Sequence, residues 1–127
     1  MISHASFDLT NPLNLLRILA GIYFLPHVVN MIVNRGAVVD FFGKVGFSPA
    51  PLFVSLAVLG EALCGAALVA GIYTSLAALL AAVLLAVAAF AIFRLQGFKW
   101  LWISGGFEFP VFWALVCLIV SVAHLQR

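Results

Sequence analysis

Ionisable side chains lie inside long apolar stretches of this chain, where a group able to carry charge is costly and is usually kept for a function. They are Arg17, His27, Glu61 and Glu108. Glu61 falls near the middle of its stretch, and the helical rise of roughly 1.5 Å per residue puts His27 within about 5 Å of the same depth. Arg17 falls about 10 Å from Glu61 in depth, and Asn30 shares the helical face of His27. The spacing predicts one polar pocket built from Arg17, His27, Asn30 and Glu61.

A carboxyl group buried beside an imidazole or a guanidinium can hold a proton, pass it on, or bind the polar group of a small molecule. We expect Glu61 to point into the interior and to hydrogen-bond His27 or Arg17. The same side chains could instead serve only to fix how the helices pack. Pro26 adds to both interpretations, because a proline kink beside His27 either opens a pocket or improves packing.

A second polar group precedes the last apolar stretch, where Gly105 and Gly106 are followed by Glu108 and Pro110. Glycine permits a sharp turn, a carboxylate is favoured near a helix N-terminus, and proline suits the first helical turn. Arg94 ends the preceding stretch on the same side, and we expect Glu108 to pair with Arg94 or with a nearby donor. This motif is interpreted as a helix cap with an ion pair, or as a relay of protons between the surface and Glu61.

The composition decides which elements carry these groups. Hydrophobic residues make up 66% of the 127 residues, and only ten residues are Asp, Glu, Lys or Arg, far below the ~25% charged residues of a soluble domain. A helix needs about 20 apolar residues to cross a bilayer, and four stretches have that length. They run over residues 13–33, 52–72, 74–93 and 107–123. The sequence predicts an all-α membrane protein, an antiparallel bundle of four transmembrane helices forming one domain over 1–127.

The linkers set the orientation. Basic residues are concentrated in the first and third linkers, against Arg127, or Arg127 and Arg17, at the other end of the bundle. These residues are Arg35, Lys44, Arg94 and Lys99. The positive-inside rule places these linkers in the cytoplasm and both termini on the outer side. No basic stripe suggests a nucleic-acid partner, and the lipid bilayer is the partner that the composition itself requires.

The sequence gives less support for redox or metal chemistry. Cys64 and Cys117 are single cysteines without a Cys-x-x-Cys pair, which argues against a catalytic dithiol. His4, His27 and His124 lie in separate segments without metal-ligand spacing, so no metal site is predicted. Small residues recur in the second and third stretches, and we expect Gly60 and Cys64 to meet Ala78 and Ala82 across a tight hairpin. That last expectation concerns packing alone.

In order and spacing, the polar residues and glycines resemble those of the DoxX family of small four-helix bacterial and archaeal membrane proteins. The resemblance rests on Arg17, Gly21, Phe24, His27, Gly60, Glu61, Gly65, Gly71 and the segment from Gly105 to Pro110. Val28 and Met31 depart from it, because the family often has Gly and Lys there. The resemblance implies a bacterial or archaeal cytoplasmic (inner) membrane and an association with quinone-linked oxidoreductases or thiol-redox complexes.

Two classes of function follow. In the first, the chain is a subunit associated with quinone-linked or thiol redox chemistry through its polar intramembrane pocket, with a quinone as cofactor and an oxidoreductase subunit as partner. In the second, it is a non-catalytic membrane subunit or a small-molecule carrier, alone or as a homo-oligomer, and the buried polar residues fix helix packing. Whether the chain is an enzyme stays open at this point.

Overall fold

The computed structural model describes residues 7–101 and 106–125. No β-strand occurs in these ranges, and the α-helices are given in chain order. They are α1 (Pro12–Ile22), α2 (Phe24–Val33), α3 (Arg35–Val45), α4 (Ala50–Ala70), α5 (Thr74–Gln96) and α6 (Glu108–Leu125). Within the described ranges, four spans are long and apolar enough to cross a membrane: α1 with α2, α4, α5 and α6. The predicted all-α fold with four transmembrane helices is confirmed.

The first crossing is divided into two helices. It begins at Asn11, whose side-chain oxygen accepts a hydrogen bond from the N–H of Leu13 at 2.9 Å, and Pro12 occupies the first turn, where its missing N–H costs nothing. The single helix expected over 13–33 is interrupted at Tyr23. Pro26 explains the interruption, because it offers no N–H to the carbonyl four residues before it and its ring crowds that turn.

The linker after α2 is itself a helix. Arg35 at the start of α3 donates hydrogen bonds to the Pro51 carbonyl at 3.1 Å and to Ser55 Oγ at 2.9 Å, which ties α3 to the start of α4. Gly46 ends α3 with a left-handed φ of 116°, a conformation that costs glycine little. The linker therefore lies folded against the bundle rather than extending from it.

The helices alternate in direction. Ser75, near the start of α5, and Ser121, near the end of α6, exchange hydrogen bonds between hydroxyl and backbone carbonyl at 3.1 and 2.9 Å. We call the end that holds α3 the α3 end, and the end that holds the Gly71–Tyr73 turn the hairpin end. Helix α1 packs on α4 and α6, whereas α2 packs on α4 and α3. The interruption at Tyr23 thus redirects the first crossing within the bundle.

Two glycines allow a close contact between α1 and α4. A Cβ added at Gly21 would lie 2.8 Å from the Gly65 carbonyl oxygen, so α1 and α4 meet backbone to backbone. The small-residue contact expected between α4 and α5 is of another kind: a Cβ at Gly60 would lie 3.4 Å from the Leu84 side chain, while Cys64 and Ala78 are buried in the core. Of these two contacts, the one between α1 and α4 is therefore the tighter, because small residues there let the backbones approach.

Candidate functional site

His27 and Glu61 meet between α2 and α4. The Nε2 atom of His27 lies 3.2 Å from Glu61 Oε1, which is ion-pair distance. The direction of approach is not that of a hydrogen bond, and Glu61 Oε1 has no hydrogen-bond partner among the described residues. The Glu61 side chain is 10% exposed and the His27 side chain 42% exposed. The carboxyl group is therefore buried at helix mid-length with spare capacity to accept a hydrogen bond.

A cavity of about 670 Å³ opens beside this pair. It lies among α2, α3, α4 and α5, and its walls are mostly aliphatic and aromatic. The rings that line it belong to Phe41, Phe42, Phe47 and Phe53. The volume falls in the range of ~300–1,000 Å³ that holds a drug-sized ligand, and a few polar groups among apolar walls are typical of such sites.

The polar groups of the cavity lie in a row along α2. His27, Asn30 and Asn34 all line it, at spacings of three and four residues that put them on one helical face. The side-chain amide of Asn34 donates a hydrogen bond to Asn30 Oδ1 at 2.7 Å. The row extends from Glu61 at mid-depth to the α3 end, about 10 Å along the helix.

Aromatic rings hold α2 where the first crossing is interrupted. The ring of Trp113 lies 4.3 Å from that of Phe24 and 6.0 Å from that of His27 between centroids. Its Nε1–H donates a hydrogen bond to the Ala20 carbonyl at 3.3 Å. Trp113 on α6 therefore holds both the end of α1 and the imidazole of His27. The side of α2 that faces away from Trp113 lines the cavity.

Glu61 also lines a second, smaller cavity of about 330 Å³ between the first crossing and α4. We call it the α2–α4 groove. Apart from Glu61, its walls are apolar, from Phe24 and Val28 on one side to Ala66 and Ala70 on the other. On α4 the groove extends from Glu61 toward the hairpin end. Glu61 is thus the residue shared by a partly polar cavity and an apolar groove.

Arg17 does not join this site. Its guanidinium donates hydrogen bonds to the carbonyl oxygens of Leu68 and Val69, which belong to the last turn of α4. Those carbonyls have no intrahelical partner, and a cation is favoured at a helix C-terminus. The residue is 1% exposed, and Phe7 lies over the guanidinium with its ring centroid 5.7 Å away. The pocket expected from four residues therefore brings together His27, Asn30 and Glu61, and Arg17 caps α4 instead.

The pairing of Glu108 with Arg94 is not formed at the start of α6. Among the described residues no ion pair joins Arg94 to Glu108; the Arg94 Nη2 atom lies 3.8 Å from the Cβ position of Gly46 instead. The backbone N–H of Glu108 donates to the Trp100 carbonyl at 3.1 Å. Glu108 begins α6, and Pro110 is buried in its first turn.

Gly106 shows why glycine stands before α6. Its φ is not left-handed, but an added Cβ would collide with the backbone of Lys99 and Trp100. The segment 106–108 lies against the carbonyls of 99–101, and glycine permits that approach. Gly105 lies outside the described residues.

The cysteines and the possible metal ligands can be located in the described part of the chain. Cys64 and Cys117 are both buried free thiols, and buried cysteines in apolar surroundings are inert. Within the described ranges no group of three or more His, Cys, Asp or Glu residues could hold a metal ion.

Comparison with known proteins identifies the family to which the chain belongs. No curated protein and no solved structure matches the chain. A sequence model of the DoxX family matches residues 13–94, which is well over half of the 127 residues and includes α1 to most of α5. The match contains His27, Asn30 and Glu61, and it ends before the segment from Gly105 to Pro110. The chain is a multi-pass membrane protein that belongs to the DoxX family.

Proposed function

We propose that this protein is a membrane subunit that binds the headgroup of a lipophilic quinone or quinol in its large cavity, against Glu61 and His27. The observation that carries the proposal is Glu61 Oε1, which is buried in the cavity wall without a hydrogen-bond partner among the described residues. Leaving such an acceptor unsatisfied costs about 1–3 kcal/mol, and more for a charged group. A ligand that donates a hydrogen bond there offsets this cost.

The chemistry of the polar groups supports a quinol or quinone headgroup. The hydroxyl of a quinol donates to a carboxylate oxygen, and the carbonyl of a quinone accepts from an amide or imidazole N–H. Glu61 supplies the acceptor, and the side-chain amide of Asn30 and the His27 ring supply donors on the same cavity wall. The phenylalanine rings on the other walls suit an aromatic ring, through offset or edge-on contacts.

The α2–α4 groove suits the rest of such a ligand. It is apolar, it reaches Glu61, and it lies on the surface between two helices that face lipid. An isoprenoid tail lying along it would leave the headgroup at Glu61 and extend into the bilayer. The buried thiols favour quinone-linked over thiol-linked chemistry. A partner oxidoreductase subunit would supply the redox centre.

The site is proposed to lie in a bacterial or archaeal cytoplasmic membrane with the α3 end facing the cytoplasm. Arg35, Lys44, Arg94 and Lys99 all lie at that end, and cytoplasmic loops carry the excess of Lys and Arg. Both termini would then lie on the outer side. A protease-cleavable tag at the C-terminus, tested in intact cells and in inverted vesicles, decides the orientation.

The alternative is a non-catalytic subunit or small-molecule carrier whose polar residues fix helix packing. The contact between His27 and Glu61 favours it, because an ion pair within the bundle also offsets the cost of burying a carboxylate. The two proposals are distinguished by purifying the protein in its own lipids and extracting any bound quinone or quinol. A quinone or quinol bound near one per chain supports the proposal if it is lost in Glu61→Leu and retained in the control Leu63→Ile, whose side chain is exposed. A quinone-free protein whose Glu61→Leu variant only unfolds favours the alternative.

A further inference from the structure

The two cavities that meet at Glu61 differ in polarity and lead to opposite ends of the bundle. Toward the α3 end, the large cavity is lined on α2 by His27, Asn30 and Asn34. Toward the hairpin end, the α2–α4 groove is lined by apolar side chains. A water molecule needs two to four polar partners to occupy a protein interior. The row on α2 provides such partners, and the groove beyond Glu61 does not.

The hairpin end is also closed by charge and by packing. Arg17 is buried there against the carbonyls of Leu68 and Val69, and a fixed guanidinium repels protons, as positive groups do in selective pores. Next to it, Gly21 and Gly65 bring α1 and α4 into backbone contact. A proton would have to pass an apolar groove and then this charge to reach Glu61 from the hairpin end.

Few titratable groups face Glu61 from the surrounding helices. His27 faces it from α2, and Cys64 follows it by three residues on α4. The residues of α3 and α5 that line the cavity carry no charge. The charged residue of α1 is Arg17, about two turns away along α4. His27 is therefore the titratable side chain that lies nearest to the Glu61 carboxyl group among the described residues.

From this asymmetry we infer that Asn30 and Asn34, with His27, form a one-sided proton route that connects Glu61 to the α3 end of the bundle. Water held by the two amides passes a proton from the aqueous phase to the His27 ring. The ring passes it to the Glu61 carboxylate when thermal motion aligns the Nε2–H with Glu61 Oε1, 3.2 Å away. The same path in reverse returns the proton to water, so no atom or charge is left over. The biological role of this route rests on the proposed function, because the route sets the side of the membrane on which protons from a quinol would leave.

Infrared spectroscopy of the full chain in membrane vesicles of known orientation, without any quinone, tests the route. The carbonyl band of the protonated Glu61 carboxyl is assigned by its absence in Glu61→Gln. We expect this band to follow the pH on the α3 side while the other side is held constant. In Asn30→Leu/Asn34→Leu the response should slow about tenfold, the factor that corresponds to one hydrogen bond lost by the water that carries the proton.

The matched control is Ile32→Leu, on the exposed face of α2, which should respond like the unaltered protein. A band that follows the hairpin side, follows both sides equally or follows neither overturns the inference, and so does an unchanged rate in the double variant. Because the measurement contains no ligand, its failure leaves the quinone proposal standing. The absence of bound quinone in the lipid extraction leaves the proton route standing.

Discussion

The guanidinium of Arg17 donates a hydrogen bond to the carbonyl oxygen of Leu68, fifty-one residues further along the chain. The contact joins α1 to the C-terminus of α4 at the hairpin end. Glu61, which lines both cavities, lies on α4 nearer to the α3 end. It also places a buried positive charge where α4 has carbonyl groups without intrahelical partners. Arg17 therefore stabilises the end of α4, whereas Glu61 on the same helix belongs to the candidate site.

Replacing Arg17 tests that cap. Arg17→Met should destabilise the protein by about 3 kcal/mol or more, because it removes hydrogen bonds to buried carbonyls and a favourable charge at a helix end. Hydrogen exchange should quicken at Gly71 and Ile72, whose N–H groups bond to the Ala67 carbonyl at the same helix end. Exchange near Glu61 should change less. Faster exchange spread evenly over α4 would contradict a local cap.

The backbone contact of α1 with α4 gives a second prediction. Gly21→Ala should cost about 1–3 kcal/mol of unfolding free energy, since the new methyl meets a backbone carbonyl that cannot move aside. Gly36→Ala is the matched control, because a Cβ there meets nothing within 4 Å. It should be neutral, or stabilising by about 0.5–1 kcal/mol through helix propensity. Unfolding in mixed micelles measures both, and equal effects would contradict the contact.

The N-terminal segment carries a pH dependence. Hydrogen bonds from the Thr10 side-chain hydroxyl and then from the Thr10 backbone N–H hold the pKa of Asp8 below its ordinary value. A carboxyl group whose pKa is lowered in the folded state stabilises that state above its unfolded pKa, and this stability is lost as the pH falls through the folded pKa. We therefore expect the turn at Asp8 to loosen only in acid, below about pH 4.

Carbon NMR of the Asp8 carboxyl in detergent micelles measures this shift. In Thr10→Val the hydroxyl donor is lost, so the pKa of Asp8 should rise toward its ordinary value while the backbone donor remains. An Asp8 that titrates at its ordinary value in the unaltered protein would show that these hydrogen bonds do not persist in solution.

Hydropathy and length suffice to predict the four crossings, because a bilayer of fixed thickness demands apolar stretches of one length. The helical rise likewise puts His27 at the depth of Glu61, and the structure has the two side chains 3.2 Å apart. Depth along a helix depends on local sequence alone. A single sequence can therefore predict the depth of each site residue in the membrane and the helical face on which it lies.

The partner of Arg17 could not be predicted in the same way. Its hydrogen bonds go to backbone carbonyls, which every residue has, so no side chain in the sequence marks Leu68 and Val69 as its acceptors. The length of the Arg side chain suggested Glu61 instead, although the two residues lie about 10 Å apart in depth. The collision that makes glycine necessary at Gly106 is equally unmarked, since it arises from backbone atoms of Lys99 and Trp100. Pro26 was a visible signal for the interruption at Tyr23, but its consequence for the direction of α2 depends on Trp113 packing from α6.

Binding of a short-tailed benzoquinol to the purified protein tests the central claim, that Glu61 holds the headgroup of the ligand. Losing a hydrogen bond to a charged group costs about 1.5–3 kcal/mol, so Glu61→Leu should raise the Kd by roughly 10- to 100-fold. Glu108→Gln, which changes a carboxyl group outside the large cavity, should leave the Kd unchanged. Equal affinity in the unaltered protein and in a folded Glu61→Leu variant, or an equal loss in Glu108→Gln, would contradict the account.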